Sequence, residues 1–215
     1  MNNHIVIAID GASASGKSTN AKNVARALGF IHVDTGAMYR TLAWYCLKEG
    51  VDVRDAQAVA ALCDQWNATL NCVDNAVRLL VDGYYPGKEI RTVQVSEATP
   101  LVAAVPKVRE WMKETQRQCL RFGNLVMEGR DIGTHVFPGA QFKFYLDASP
   151  SERAKRRAAE GSRENIAARD EHDTKRTAAP LKIARDAVVI NNSQLTTAQT
   201  SALILERVRK EPAFL

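Results

Sequence analysis

The chain has 215 residues, 46% hydrophobic and 25% charged, with a net charge of +5. This suits one globular domain with at most a small insertion, and no run approaches the roughly 20 apolar residues of a membrane span. The basic excess is arginine scattered among acids, without an aromatic-interleaved patch; neither a nucleic acid nor a membrane is expected as a partner, and a site built for several phosphates accounts for the charge equally well.

His4 to Asp10 is an apolar, β-branched run that predicts a buried parallel strand. No basic segment, apolar stretch and cleavage site precede it, so a cytoplasmic location is expected. Gly11-Ala12-Ser13-Ala14-Ser15-Gly16-Lys17-Ser18-Thr19 follows and fits G-x-x-x-x-G-K-[ST], the phosphate-binding loop pattern. Ala21, Val24, Ala25 and Leu28 then share one face of a helix. A glycine-containing loop between strand and helix leaves backbone N–H groups pointing into a hollow, where they and the positive helix end hold nucleotide phosphates. Gly11 to Thr19 are therefore the candidate ATP-binding residues. Lys17 would reach the β- and γ-phosphates, and Ser18 is the candidate Mg2+ ligand.

Gly29 caps the first helix, and Phe30 to Val33 forms a second strand. Thr35 is the expected N-cap of the next helix, which carries Arg40 in its first turn or two; a solvated arginine and a ligand-binding one fit equally well there. A helix from Asp55 gives way to two alternating runs around Asp74-Asn75, an antiparallel hairpin expected to form a flap or subdomain, with a third short strand between Gly83 and Ile90. From Val93 to Phe122 the pattern is helical, with breaks expected near Pro100 and Pro106. Arg109, beside Val108 of the buried stripe, is expected to face a cleft.

Leu125 to Glu128 predicts the third core strand, and Gly129-Arg130-Asp131-Ile132-Gly133-Thr134 follows it. An Arg-Asp pair between glycines at the carboxyl end of a buried strand suits a ligand site better than a surface turn. Glu128 or Asp131 is also placed to order magnesium waters. Phe142 to Leu146 gives the fourth strand, and Ser149-Pro150-Ser151-Glu152 is a capping box. Its helix carries Arg153, Arg156 and Arg157, and opens a stretch poor in large apolar residues up to Ala179. Such an arginine-rich segment is suited to close over a triphosphate. Arg169, Asp173 and Arg176 share a helical face, either as a ligand-facing set or as an ion-pair ladder. Asp186 to Ile190 predicts the fifth strand, and Thr196 with Gln199 caps the last helix. The four cysteines form no C-x-x-C pair and read as reduced core residues.

The expected fold is α/β: a P-loop three-layer architecture with a five-stranded parallel sheet, a small β-containing insertion and a short flap. Phosphoryl transfer in such a site is mostly positioning and charge neutralisation. An alcohol acceptor would favour a carboxylate base beside it. A nucleoside monophosphate, with a second pKa of about 6, needs only cations, and Arg40, Arg91 and Arg130 supply them from separate elements.

Over essentially its whole length the sequence resembles bacterial cytidylate kinases. The match rests on Ile9-Asp10-Gly11 with Gly16-Lys17-Ser18, Asp34 to Arg40, Glu89 to Thr92, Val102-Ala103-Ala104 with Pro106 and Val108-Arg109, Gly129 to Thr134, and Arg169-Asp170 through Arg176 to Leu181. The resemblance implies Mg-ATP-dependent phosphorylation of CMP and dCMP. Arg40 and Arg130 would hold the acceptor phosphate with Arg91 nearby; Arg109 and Asp131 would read cytosine; Arg169, Asp173 and Arg176 would meet the sugar. Thr35 completes the substrate-binding set, and Lys17, Arg40, Arg130, Arg153 and Arg157 form the catalytic set. A single domain over 1–215 is expected, with its core at about 1–34 and 123–215, an acceptor-binding insertion at about 35–122 and a flap at about 153–168, working as a monomer. Two departures from the family pattern stand out. Pro100, beside Thr99, occupies the place where a serine near the pentose is common, and the flap between Arg157 and Arg169 is shorter. A kinase for UMP, AMP or a sugar-like alcohol and a nucleic-acid-associated P-loop protein are the rival readings.

Overall fold

The computed structural model describes residues 4–159, 170 and 179–211. Seven strands form one sheet in the order β3-β4-β2-β5-β1-β6-β7. β1 (Val6–Gly11) lies in its interior, between β5 (Leu125–Gly129) and β6 (Phe142–Asp147) and parallel to both. β2 (Ile31–Asp34) extends the parallel sheet on one side and β7 (Val188–Asn191) on the other. All of β1 is buried, as expected of a strand covered on both faces.

The two-residue period of β1 splits the core in two. Val6 and Ala8 join Val33, Leu42, Met112 and Met127 on one face, under α2 (Thr35–Lys48), α4 (Val93–Ala104) and α5 (Pro106–Gln118). Ile7 and Ile9 join Val24, Val126, Phe144 and Ile204 on the other, under α1 (Lys17–Leu28) and α7 (Thr197–Arg209). The capping box of α7 is present in full, Thr196 and Gln199 satisfying each other's backbone N–H groups. The remaining helices are α3 (Ala56–Gln65), on the same side as α5, and α6 (Pro150–Ala159), which follows β6.

The five expected parallel strands are present, but the sheet has seven strands rather than five: the hairpin is not a separate flap and adds one further parallel strand and one antiparallel edge strand. β3 (Ala68–Val73) and β4 (Ala76–Val81) turn tightly at Asp74 and Asn75, both at positive φ. β4 then docks parallel to β2, where the His32 N–H donates to the Asn75 carbonyl at 2.8 Å. Between Gly83 and Ile90 the expected strand is reduced to a Val81–Tyr84 bridge and a 3-10 turn at Glu89–Arg91. The last strand starts at Val188, because the Asp186 carboxylate turns aside to Lys143 Nζ at 2.7 Å. Asp34, not Thr35, caps α2, accepting from the Ala37 N–H at 2.8 Å. Pro100 does not break α4, which runs through it with one backbone bond missing; Pro106 does stand first in α5.

Candidate active site

The carboxyl ends of β1, β2 and β5 open into one cleft of about 470 Å³. Ser13, Ala14, Gly16, Lys17, Ser18 and Thr19 line one end. Two glycines shape the loop. A Cβ on Gly11 would stand 2.4 Å from the Leu146 carbonyl oxygen, and Gly16 caps α1 in the left-handed region at φ 87°. Lys17 Nζ closes over the loop onto the Ala12 carbonyl at 2.7 Å. Behind it, Asn192 at the end of β7 donates to the Ser15 carbonyl at 2.8 Å, and Asn192 in turn accepts from Arg156. Asn192, absent from the sequence motif, therefore holds its backbone, and Arg156 holds Asn192.

Ser18 donates its hydroxyl to Glu128 Oε2 at 2.8 Å, while Thr35 donates to the Glu128 carbonyl at 2.7 Å. Glu128 is 3% exposed and lines the cleft. Among the described residues no group of three or more His, Cys, Asp or Glu side chains encloses a metal site. The oxygen pair Ser18–Glu128 is the set that could hold a hard cation together with bound phosphates, as such ions require.

At the other end Arg109 Nη2 donates to Asp131 Oδ2 within a buried ion pair. The Arg109 guanidinium also lies 5.8 Å from the centroid of the Tyr39 ring. Asp131 is held by its successors: the Ile132 and Gly133 N–H groups donate to Asp10 Oδ1 and Oδ2 at 2.9 and 2.8 Å. Burial pushes the Asp10 carboxyl up to about 6, against the pull of those two bonds and of Lys17. Asp10 is thus a buried support; the sequence places it at the end of a strand and within the Ile9-Asp10-Gly11 match but gives it no role. A carboxylate closing an otherwise apolar run was the available signal.

Arg40, Arg91 and Arg130 also line the cleft. Arg40 donates to Ser96 Oγ at 2.7 Å on α4, and Arg91 to Asp34 Oδ2 at 3.1 Å. Burial alone would raise the Asp34 carboxyl, but the Arg91 charge and the Ala37 N–H hold it below its ordinary range. Thr35, Arg40, Arg91, Arg109, Arg130 and Asp131 are therefore brought together as expected. Arg169, Asp173 and Arg176 lie outside the described residues.

The three arginines of α6 separate. Arg157 reaches the cleft and donates to Ser13 Oγ at 2.7 Å. Arg153 is buried beneath the loop, bonded to the Ala148 and Ser13 carbonyls and to Asp170. Arg156 points to Asn192. The sequence alone predicts all three over the nucleotide; helical phase gives each a different target.

A P-loop at the end of an interior parallel strand, sharing one cleft with arginines from several elements, defines a P-loop phosphotransferase. The comparisons with known proteins give the family. The cytidylate kinase family model matches residues 7–210. The cytidylate kinase of Geobacillus sp. (strain WCH70) is 41% identical over 221 residues, covering 98% of this chain and 99% of the relative. That of Bacillus subtilis (strain 168) is 39% identical over 222 residues, with coverage of 98% and 99%. Among solved structures, an uncharacterized protein from Eubacterium ventriosum shares the fold at TM-score 0.51 and 12% identity, covering 97% of this chain and all of its own. The chain belongs to the cytidylate kinase family.

Proposed function

We propose that the protein transfers the γ-phosphoryl group of ATP to CMP or dCMP, giving ADP and CDP or dCDP. Family membership supports the reaction. The observation that carries the substrate arrangement is the single cleft, with the P-loop at one end and the buried Arg109–Asp131 pair at the other.

ATP takes the P-loop end, its phosphates on the loop amides and Lys17. The acceptor phosphate sits among Arg40, Arg91 and Arg130, whose charges offset the repulsion between two anions. Asp131, bonded to Arg109 through Oδ2, offers its other oxygen to the exocyclic amine of cytosine, which uracil lacks. Arg157 stands ready at Ser13 to neutralise the triphosphate; Arg153 acts from beneath, through the Ser13 carbonyl. The segment 35–122 then serves as the acceptor-binding insertion and about 153–168 as the flap, with Arg169, Asp173 and Arg176 assigned to the sugar.

Ser18 and Glu128 fit a magnesium ion carried in with ATP, since Glu128 Oε2 bonds the Ser18 hydroxyl at the P-loop end of the cleft and keeps a second lone pair for the ion or its waters. That ion would stabilise the charge developing on the transferring oxygens. Because a phosphate acceptor is already ionised near pH 7, no general base is assigned. No helix among the described residues is long and apolar enough to cross a membrane. Burial pushes the thiols of Cys46, Cys63 and Cys119 up, to about 11, 12 and 12 respectively. They take no part in the chemistry, and four free cysteines suit a reducing cytoplasm.

The test is ADP release from Mg-ATP with CMP, dCMP, UMP and AMP in turn. Fast turnover with CMP and dCMP and much slower turnover with UMP is expected. Equal or better turnover with UMP or AMP would remove the base assignment.

A further inference from the structure

The register of β2 on β5 pairs His32 with Val126 and Asp34 with Glu128. Side chains two apart on a strand share a face, so His32 and Glu128 are diagonal neighbours on the face that α1 covers. His32 Nε2 stands 3.7 Å from Glu128 Oε1. His32 is 6% exposed and Glu128 3%. Neither of these two atoms has a hydrogen-bond partner among the described residues. A buried polar atom left in that state is costly, and native structures rarely tolerate two facing each other. The gap exceeds hydrogen-bond distance by only a few tenths of an ångström.

We propose that His32 is a positioning residue for Glu128. Its Nε2–H donates to Oε1 and leaves Oε2 on the Ser18 hydroxyl, so both oxygens are fixed and the carboxylate faces the cleft in one orientation. The neutral imidazole tautomer with the proton on Nε2 is sufficient, and no charge change is involved. The proposal rests on the reading of Ser18 and Glu128 as the cation-side pair. Partners that orient a metal-facing carboxylate commonly change metal affinity by about 10- to 100-fold when removed.

The test measures Mn2+ binding to the full-length enzyme with ADP by electron paramagnetic resonance, alongside CMP affinity and thermal melting. His32→Leu is expected to weaken Mn2+ about tenfold and leave CMP affinity unchanged. His32→Gln, whose amide reaches the same point as Nε2, is expected to restore it to within about threefold. Should His32→Leu fail to fold, His32→Asn, too short to reach Oε1, is expected to show the same weakening. Wild-type Mn2+ affinity in His32→Leu or His32→Asn would overturn the proposal, as would a His32→Gln variant as weak as these. Glu128→Gln separates the two levels. Weakened Mn2+ there with no effect at His32 defeats the positioning role alone, whereas unchanged Mn2+ defeats the reading of Glu128 itself.

Discussion

Arg109 on α5 and Asp131 after β5 meet in an ion pair that is 5% exposed on one side and 6% on the other. Removing one member of such a pair leaves a buried charge unmatched, typically at about 3–5 kcal/mol. Arg109→Met is therefore expected to lower unfolding free energy by about 3 kcal/mol in a urea titration and to raise KM for CMP more than KM for ATP. Unchanged stability would show that the pair is not a structural element.

Asp10 gives a pH signature. Its carboxyl is raised from 3.8 to about 6 in the folded protein, chiefly by burial. The folded state therefore holds the proton more tightly than the unfolded one between those values, and ionisation costs stability as pH rises through this window. The full cost, about 3 kcal/mol, is present above pH 6 and absent below about 4. Asp10→Asn carries no charge to bury. The stability of the natural chain relative to Asp10→Asn is expected to fall between pH 4 and pH 6 and to stay level above it. Parallel pH profiles for the two proteins would contradict this account of Asp10.

Asn192 ties the P-loop to α6 from far along the chain, through the Ser15 carbonyl and Arg156. One lost hydrogen bond of this kind is worth about 1 kcal/mol. Asn192→Ala is expected to raise KM for ATP about fivefold and to leave KM for CMP within about twofold. Steady-state kinetics with each substrate varied in turn will show whether the rise is confined to ATP.

The two loop glycines differ in kind. Gly11→Ala drives a Cβ into the Leu146 backbone, whereas a Cβ on Gly16 meets nothing nearer than 3.4 Å. Overpacking against rigid backbone costs about 1–3 kcal/mol, occasionally more, and a left-handed alanine about 1–2 kcal/mol. Thermal melts are expected to rank Gly11→Ala below Gly16→Ala, with both below the natural chain.

What was legible in the sequence was local. The P-loop, the strand before it, the helix after it and the α7 capping box depend on residues close together in the chain. The docking of β4 on β2 depends on a bond from His32 to Asn75, which no periodicity encodes. Asp34 and Thr35 are adjacent and both good caps; Thr35 was drawn away by the Glu128 carbonyl on another strand. The arginines of α6 were identifiable as phosphate-facing candidates, but their separate destinations follow from packing against Ser13, Asp170 and Asn192. Asp10, Asn192 and the His32–Glu128 contact act across the sheet and left at most a faint trace in the sequence.

The most direct test of the substrate assignment is kcat/KM for CMP and for UMP in the natural enzyme and in Asp131→Asn. An asparagine carbonyl can still accept from Arg109, turning its amide donor toward the base, where it suits the uracil oxygen rather than the cytosine amine. The preference for CMP over UMP is expected to fall by at least about tenfold, in keeping with 1–3 kcal/mol for one base contact, with CMP losing and UMP gaining. An unchanged CMP-to-UMP ratio would contradict the reading of Asp131 as the residue that recognises cytosine.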